Sequence, residues 1–427
     1  MNNELFDYIK KSPTAFHAVS VSCDMLREAG YTELSEGEKW TLERGKGYFV
    51  TRNRSSFIAF RVPKGDFGGF MMTAAHCDSP CFKIKENAEL KDANYVRLSV
   101  ERYGGMLCST WLDRPLSVAG RVIVKTEKGI ETRLADLRDF TAIIPNVAIH
   151  MNRNANTDMS YNASVDMLPL YGGGDVSSLR SRIAENVGVK EEDIVNTDIF
   201  VYNPEDGMEW NGFISAPRLD DLQCAFSSLK AFIASKENGA MPVCAVFDNE
   251  EVGSGTKQGA ASTFLYDVLT RTEKALGGDD ESYRRKVAQS FLVSCDNAHA
   301  SHPNHPEYSD KNHTVYMNKG IVIKYNANQK YTSDGVSAAV FKLVCDEAGV
   351  PTQYYANRAD MTGGSTLGNI ANTQVSLNTV DIGLSQLAMH SAYETAGASD
   401  TEYMVKALTV FFGKSIKTSH DGDFELI

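Results

Sequence analysis

Four apolar runs of this chain lead straight into loops bearing imidazoles or carboxylates. FMMT runs into AHCDSP (75–80), PVCAVF into DNEEVGS (248–254), FLVSC into Asp296, and VSLNTV toward His390; a fifth acidic element, RLDD (218–221), opens the helical segment that follows it. His76, Asp220, Glu251, Asp296 and His390 together form a mixed imidazole and carboxylate set of the kind that holds two divalent ions sharing a bridging carboxylate. Glu250 and Glu251 are adjacent, so they repel each other and are costly to bury without a cation or strong donors. A division of labour resolves this. One carboxylate binds metal, while its neighbour, pointing elsewhere, accepts a proton from an activated water. Gly253 and Gly255 let this backbone approach such a site closely.

Singly, each residue has a plainer explanation. His76 on its own is as readily a buried, hydrogen-bonded histidine, and Asp78 either orients the ring of His76 or caps a turn. Asp220 alone reads as a helix N-cap, and the glutamate pair alone as an exposed acidic loop. The stretch NAHASHPNHPEY, carrying His299, His302 and His305, has the look of a solvated histidine-rich loop. The set as a whole weighs more than any member.

Bringing such distant residues together requires a scaffold that gathers loop ends. Apolar runs alternating with helical segments predict an α/β fold, a mostly parallel central sheet flanked by helices, in which ligands bind at the carboxyl ends of the strands. Strands are expected at 57–62, 70–73, 242–247, 291–295, 321–325 and 375–380. One helix is expected around Leu222, Ala225, Phe226, Leu229, Phe232 and Ile233, and a second around Val336, Ala339, Val340, Leu343 and Val344. The second has Ser333 or Asp334 as its cap, then Gly349 and Pro351 as its stop.

From about residue 88 to 212 the pattern changes: apolar runs at 116–124 and 130–134 flank a short Glu127-Lys128-Gly129 turn, which predicts antiparallel pairing. We expect an inserted β-rich domain at 88–212, with the main domain formed by 1–87 and 213–427. The Asn-rich stretch 152–162 and the Gly172-Gly173-Gly174 run read as loop.

Composition narrows the class. The 427 residues are 42% hydrophobic and 23% charged, as in folded globular proteins, and the net charge of -12 opposes attraction to phosphate backbones and anionic membranes. Nucleic acid and membrane are therefore not expected partners. The start, MNNELFDYIKK, has no apolar core behind a basic segment, and the eight scattered cysteines include no CxxC pair, so reduced core thiols and a cytoplasmic location are expected.

Taken in order, SPTAFHAV, AHCDSP, AIHMNRN, RLDDL, FDNEEVGS, CDNAHASHPN, KGIVIKYNANQKY and QLAMHS resemble the aspartyl aminopeptidase family of dinuclear zinc metallopeptidases nearly end to end. The resemblance implies that His76 and Glu251 or Asp296 hold individual zinc ions, Asp220 bridges them and His390 completes the pair. It further implies Glu250 as general base, Asp78 as support for His76, His150 as a residue projected into a neighbouring subunit's site, and Lys324 as the recogniser of an acidic substrate side chain. Peptides with N-terminal Asp or Glu are the implied substrates. A tetrahedral dodecamer, paired through the inserted dimerisation domain, is the implied assembly. Met361 and Gly363-Gly364, in DMTGGSTLG, bear on the pocket wall. A dinuclear amidohydrolase of another kind, such as a carboxypeptidase or deacylase, and a non-catalytic metal-stabilised scaffold are the competing readings.

Overall fold

The computed structural model describes residues 1–236 and 238–427. At its centre Met241–Phe247, Phe70–His76, Phe291–Cys295 and Asn378–Gly383 lie side by side and parallel. They belong to a nine-stranded sheet whose order continues outward through Ser56–Arg61, Gly47–Arg52 and Thr32–Leu34 on one side, and Ile321–Tyr325 and Thr352–Ala356 on the other. Antiparallel pairings join the flanks to the parallel core, at Ser56–Arg61 with Met241–Phe247 and at Ile321–Tyr325 with Asn378–Gly383.

The central strands are apolar at nearly every position because both of their faces are covered. Met71, Ala75, Val293 and Cys295 face a core completed by Leu222, Phe226 and Leu229 of helix Leu219–Ala234 and by Phe411 of helix Asp400–Phe412. On the other face Met72, Ala74, Val243 and Leu292 meet Phe264, Leu265, Val268 and Leu269 of helix Phe264–Ala275.

Three sequence readings are corrected in detail. The strand expected at 375–380 is Asn378–Gly383, because residues 372–377 close the turn after the short helix Leu367–Ala371, with Asn372 Oδ1 accepting the Leu377 N–H. Helix Gly335–Ala348 has the expected Asp334 cap and left-handed Gly349 stop, yet its buried seam runs through Ala338, Phe341, Val344 and Cys345, leaving Val336 and Leu343 exposed. The bulk of Phe341, on the opposite side of the turn from Leu343, decides which face turns inward. Gly172 and Gly173, read as loop, end the strand Leu170–Gly173 and pair with Val96 and Tyr95. A Cβ on Gly172 would stand 2.9 Å from Val176 Cβ.

Between the strands Phe70–His76 and Met241–Phe247 the chain forms a wholly antiparallel six-stranded sheet. Its order is Gly129–Asp136, Ser117–Thr126, Ile194–Tyr202, Cys81–Lys91, Tyr95–Tyr103 and Leu170–Gly173. It has its own core around Phe82, Leu98, Trp111, Val122 and Val201. The boundary expected at 88 falls inside the strand Cys81–Lys91, where its pairing with Tyr95–Tyr103 shifts register between Ile84 and Glu89. Among the described residues no helix is long and apolar enough to cross a membrane.

Candidate metal centre

The carboxyl ends of three parallel strands open on one cavity. His76 is the last residue of Phe70–His76, the loop 248–254 follows Met241–Phe247, and Asp296 follows Phe291–Cys295. His390 arrives from beyond Asn378–Gly383 through the short strand Ser385–Leu387. Asp220 comes from the first turn of Leu219–Ala234, whose backbone there is not helical (φ -83°, ψ 107°), and the Asp220–Asp221 peptide bond is cis. Asn249 adopts the left-handed conformation that asparagine tolerates, and this turns Glu250–Val252 into a single 3-10 turn closed by Gly253 at φ +93°.

Asp220 stands between the two imidazoles. Its Oδ1 lies 3.5 Å from His76 Nε2 and its Oδ2 lies 3.4 Å from His390 Nε2. Asp296 Oδ1 is 3.9 Å from His76 Nε2, and Glu251 Oε2 is 3.4 Å from His390 Nε2. Ligand atoms of His76, Asp220, Asp221 and Asp296 lie within 4.8 Å of one another, as do those of Asp220, Glu251 and His390, and those of His76, Glu250 and Glu251. The first two groups overlap at Asp220.

Each imidazole is oriented from its far side. His76 Nδ1 is 3.1 Å from the Asp78 carbonyl oxygen and 3.3 Å from its Oδ1, while His390 Nδ1 bonds the Gly105 carbonyl. Such partners fix which ring nitrogen is left to face a metal. The Asp78 carboxylate also accepts the backbone N–H groups of Glu250 (3.1 Å) and Glu251 (3.2 Å) and the hydroxyl of Tyr103 (2.7 Å). Buried Glu394 accepts the N–H of Asp220 and that of His390.

The electrostatics describe a site with more negative charge than the protein itself can balance. Burial would lower His76, yet Asp220, Asp296 and Asp78 together raise it well above the usual histidine range. Burial likewise opposes the charge of His390, and Asp220 with Glu251 pushes it up to about 10. Burial first, then neighbouring carboxylates, raises Glu250 to about 8 and lifts Glu251 and Asp221 well above the carboxylate range. Asp220 is lowered, its burial being outweighed by the two histidines it touches.

These residues fit divalent cations. Asp220 Oδ1, Asp221 Oδ1 and Glu251 Oε1 are buried and have no hydrogen-bond partner among the described residues, a costly state unless something else satisfies them. Imidazole nitrogen and carboxylate oxygen are the donor set that zinc accepts.

Lys324 and His150 occupy different places. Lys324, on Ile321–Tyr325, is 3% exposed and lines the cavity; its Nζ donates to the Asn297 carbonyl at 2.8 Å and lies 3.7 Å from Asp296 Oδ2. His150 is outside the cluster of this chain, exposed among Val147, Ile149 and Met151. His299 is exposed, as are His302 and His305 of the loop read as solvated, and it also lines the cavity with Tyr331, Tyr355 and Thr366, as does Gly364 of the DMTGGSTLG stretch; Met361 is exposed and is not among the lining residues. Reading the sequence missed Asp221, Glu394 and Tyr103. The second Asp of RLDD was a visible signal for the first of these, whereas nothing local marks the other two.

Comparison with known proteins gives a consistent result. The sequence profile of the aminopeptidase I zinc metalloprotease (M18) family matches residues 8–412. A probable M18 family aminopeptidase 2 of Clostridium novyi is 44% identical over 424 residues, covering 96% of this chain and 98% of the relative. The same-named protein of Pseudomonas aeruginosa is 38% identical over 429 residues, with coverages of 97% and 98%. Among solved structures, the cryo-EM structure of the Ape4 and Nbr1 complex superposes with a TM-score of 0.92 at 34% identity, covering 96% of this chain and 85% of that one. The S. cerevisiae mApe1 dodecamer does so with a TM-score of 0.82 at 27% identity, with coverages of 96% and 95%.

Proposed function

The chain belongs to the M18 family of zinc aminopeptidases, and from that premise we propose that it removes N-terminal residues, Asp and Glu by preference, from peptides at a centre of two zinc ions. The observation that carries the dinuclear reading is the position of Asp220, whose two oxygens face a different histidine each. On this reading Asp220, His76 and Asp296 would hold one ion, and Asp220, Glu251 and His390 would hold the other.

The two cations, when bound, supply Lewis acidity to a water and to the scissile carbonyl. Glu250 takes the proton of that water and returns it to the leaving amine. Its half-buried carboxylate lines the same cavity as His76, Asp220 and Glu251, which places it to accept that proton and hand it on. Asp78 holds the Glu250 and Glu251 backbone and orients His76. Lys324 lies at the cavity wall with a charge that burial disfavours and Asp296 sustains, and it offers that charge to an acidic substrate side chain.

Exposed His150, beside Val147, Ile149 and Met151, is available to a neighbouring subunit, and we assign residues 88–212 as the dimerisation domain of a tetrahedral dodecamer. A homo-oligomer accords with the dodecameric state of the S. cerevisiae relative. The eight free cysteines suit a cytoplasmic location. Metal analysis combined with a panel of free and N-blocked aminoacyl anilides tests the reading. Two equivalents of zinc and cleavage of free-amine Asp and Glu substrates are expected; a fully loaded enzyme that hydrolyses only blocked substrates would defeat it.

A further inference from the structure

The antiparallel sheet meets the metal centre through three consecutive residues. Tyr103, the last residue of Tyr95–Tyr103, donates its hydroxyl to Asp78 Oδ2 at 2.7 Å. Gly104, at φ +76°, sits where a Cβ would stand 3.1 Å from Glu251 Cβ. The carbonyl of Gly105 bonds His390 Nδ1. A single strand end thus touches the neighbour of one imidazole, a ligating carboxylate and the second imidazole.

Asp78 is the hub of this arrangement. One carboxylate gathers the Tyr103 hydroxyl and the N–H groups of Glu250 and Glu251, and lies against His76 Nδ1. The phenol is itself fixed: Asn249 Nδ2 donates to its oxygen at 2.8 Å, and its ring packs edge-on against Phe200 at 5.8 Å. Asn249 immediately precedes Glu250, so the hydroxyl connects the sheet to both sides of the loop that carries the base.

We infer that Tyr103 is a positioning residue of the metal centre, through which the antiparallel sheet sets the rotamer of Asp78 and hence the placement of His76, Glu250 and Glu251. The inference rests on the proposed metal-dependent hydrolysis. A carboxylate that loses one of three converging donors is held less firmly about its Cβ–Cγ bond, and partners of this kind govern metal affinity as well as rate.

Tyr103→Phe removes the donor and keeps the ring against Phe200. Chelator competition is expected to show zinc affinity lowered on the order of ten- to a hundredfold, with a visibly altered spectrum for the cobalt-loaded enzyme. The kcat is expected to fall while KM stays near its wild-type value. Wild-type zinc affinity and an unchanged cobalt spectrum, with or without a lower melting temperature, would reduce Tyr103 to packing and overturn the inference. Should Tyr103→Phe not fold, Phe200→Leu, which loosens the ring contact that aims the Tyr103 hydroxyl at Asp78, carries the test on the same readouts. Wild-type protein that takes up no divalent ion would sink the proposed function itself, so that measurement comes first.

Discussion

Glu394 Oε2 accepts the backbone N–H of Asp220 at 3.0 Å, and because Glu394 Oε1 accepts that of His390 at 2.8 Å, one buried carboxylate ties together two residues that are 170 positions apart. Replacing it by alanine leaves the buried N–H of Asp220 without a partner, at a cost of about 1–3 kcal/mol, and releases the part-buried N–H of His390. Glu394→Ala is expected to lower the melting temperature and to reduce kcat/KM by roughly tenfold or more. Glutamine, which offers one acceptor oxygen instead of two, should give an intermediate loss; thermal scans and steady-state kinetics on both variants decide this.

For Glu250 the expectation is a separation of binding from turnover. Glu250→Gln preserves shape and the backbone bond to Asp78 but removes the proton acceptor. Activity should fall by roughly a hundredfold to ten-thousandfold while elemental analysis still finds a full complement of zinc. Near-native turnover would refute the assigned role.

Lys324 governs the substrate side chain in our reading. Lys324→Ala should cost on the order of tenfold or more in kcat/KM for Asp and Glu anilides, and little for Leu or Ala anilides. A preference for Leu over Asp in the wild type, unaltered by the substitution, would remove Lys324 from substrate recognition.

His17 supplies a pH dependence away from the metals. It is buried, with Nδ1 2.9 Å from the Thr14 hydroxyl, and burial, aided by Arg218, lowers it from 6.5 to about 4. The unfolded chain therefore takes up this proton first as pH falls. The contribution is fully present above pH 6.5 and is lost progressively down to about pH 4, amounting to roughly 3 kcal/mol. Melting curves between pH 7 and 4.5 should show a shallower acid decline for His17→Gln than for wild type; identical slopes would contradict it.

How much of this was legible follows from where each residue sits. His76 ends an apolar strand and Asp296 directly follows one, so a run of buried residues leading into a polar one pointed to them and to their shared edge of the sheet. Glu394 and Tyr103 gave no such sign. The first begins a strand of a small separate sheet, the second ends a strand of the antiparallel one, and both reach the centre only through contacts that tertiary packing creates. The misjudged face of Gly335–Ala348 has a similar cause: helical spacing marked several apolar residues, but packing against helix Asp400–Phe412 and strand Asn378–Gly383 selected Phe341 over Leu343.

The two legs of the antiparallel sheet leave the central domain side by side, since Phe82 and Val201 are direct partners in its ladder. A segment whose ends lie one ladder step apart can be transplanted or exchanged between relatives without stretching either junction. Two contacts cross that junction and would have to be rebuilt by any replacement: the Tyr103 hydroxyl on Asp78 and the Gly105 carbonyl on His390.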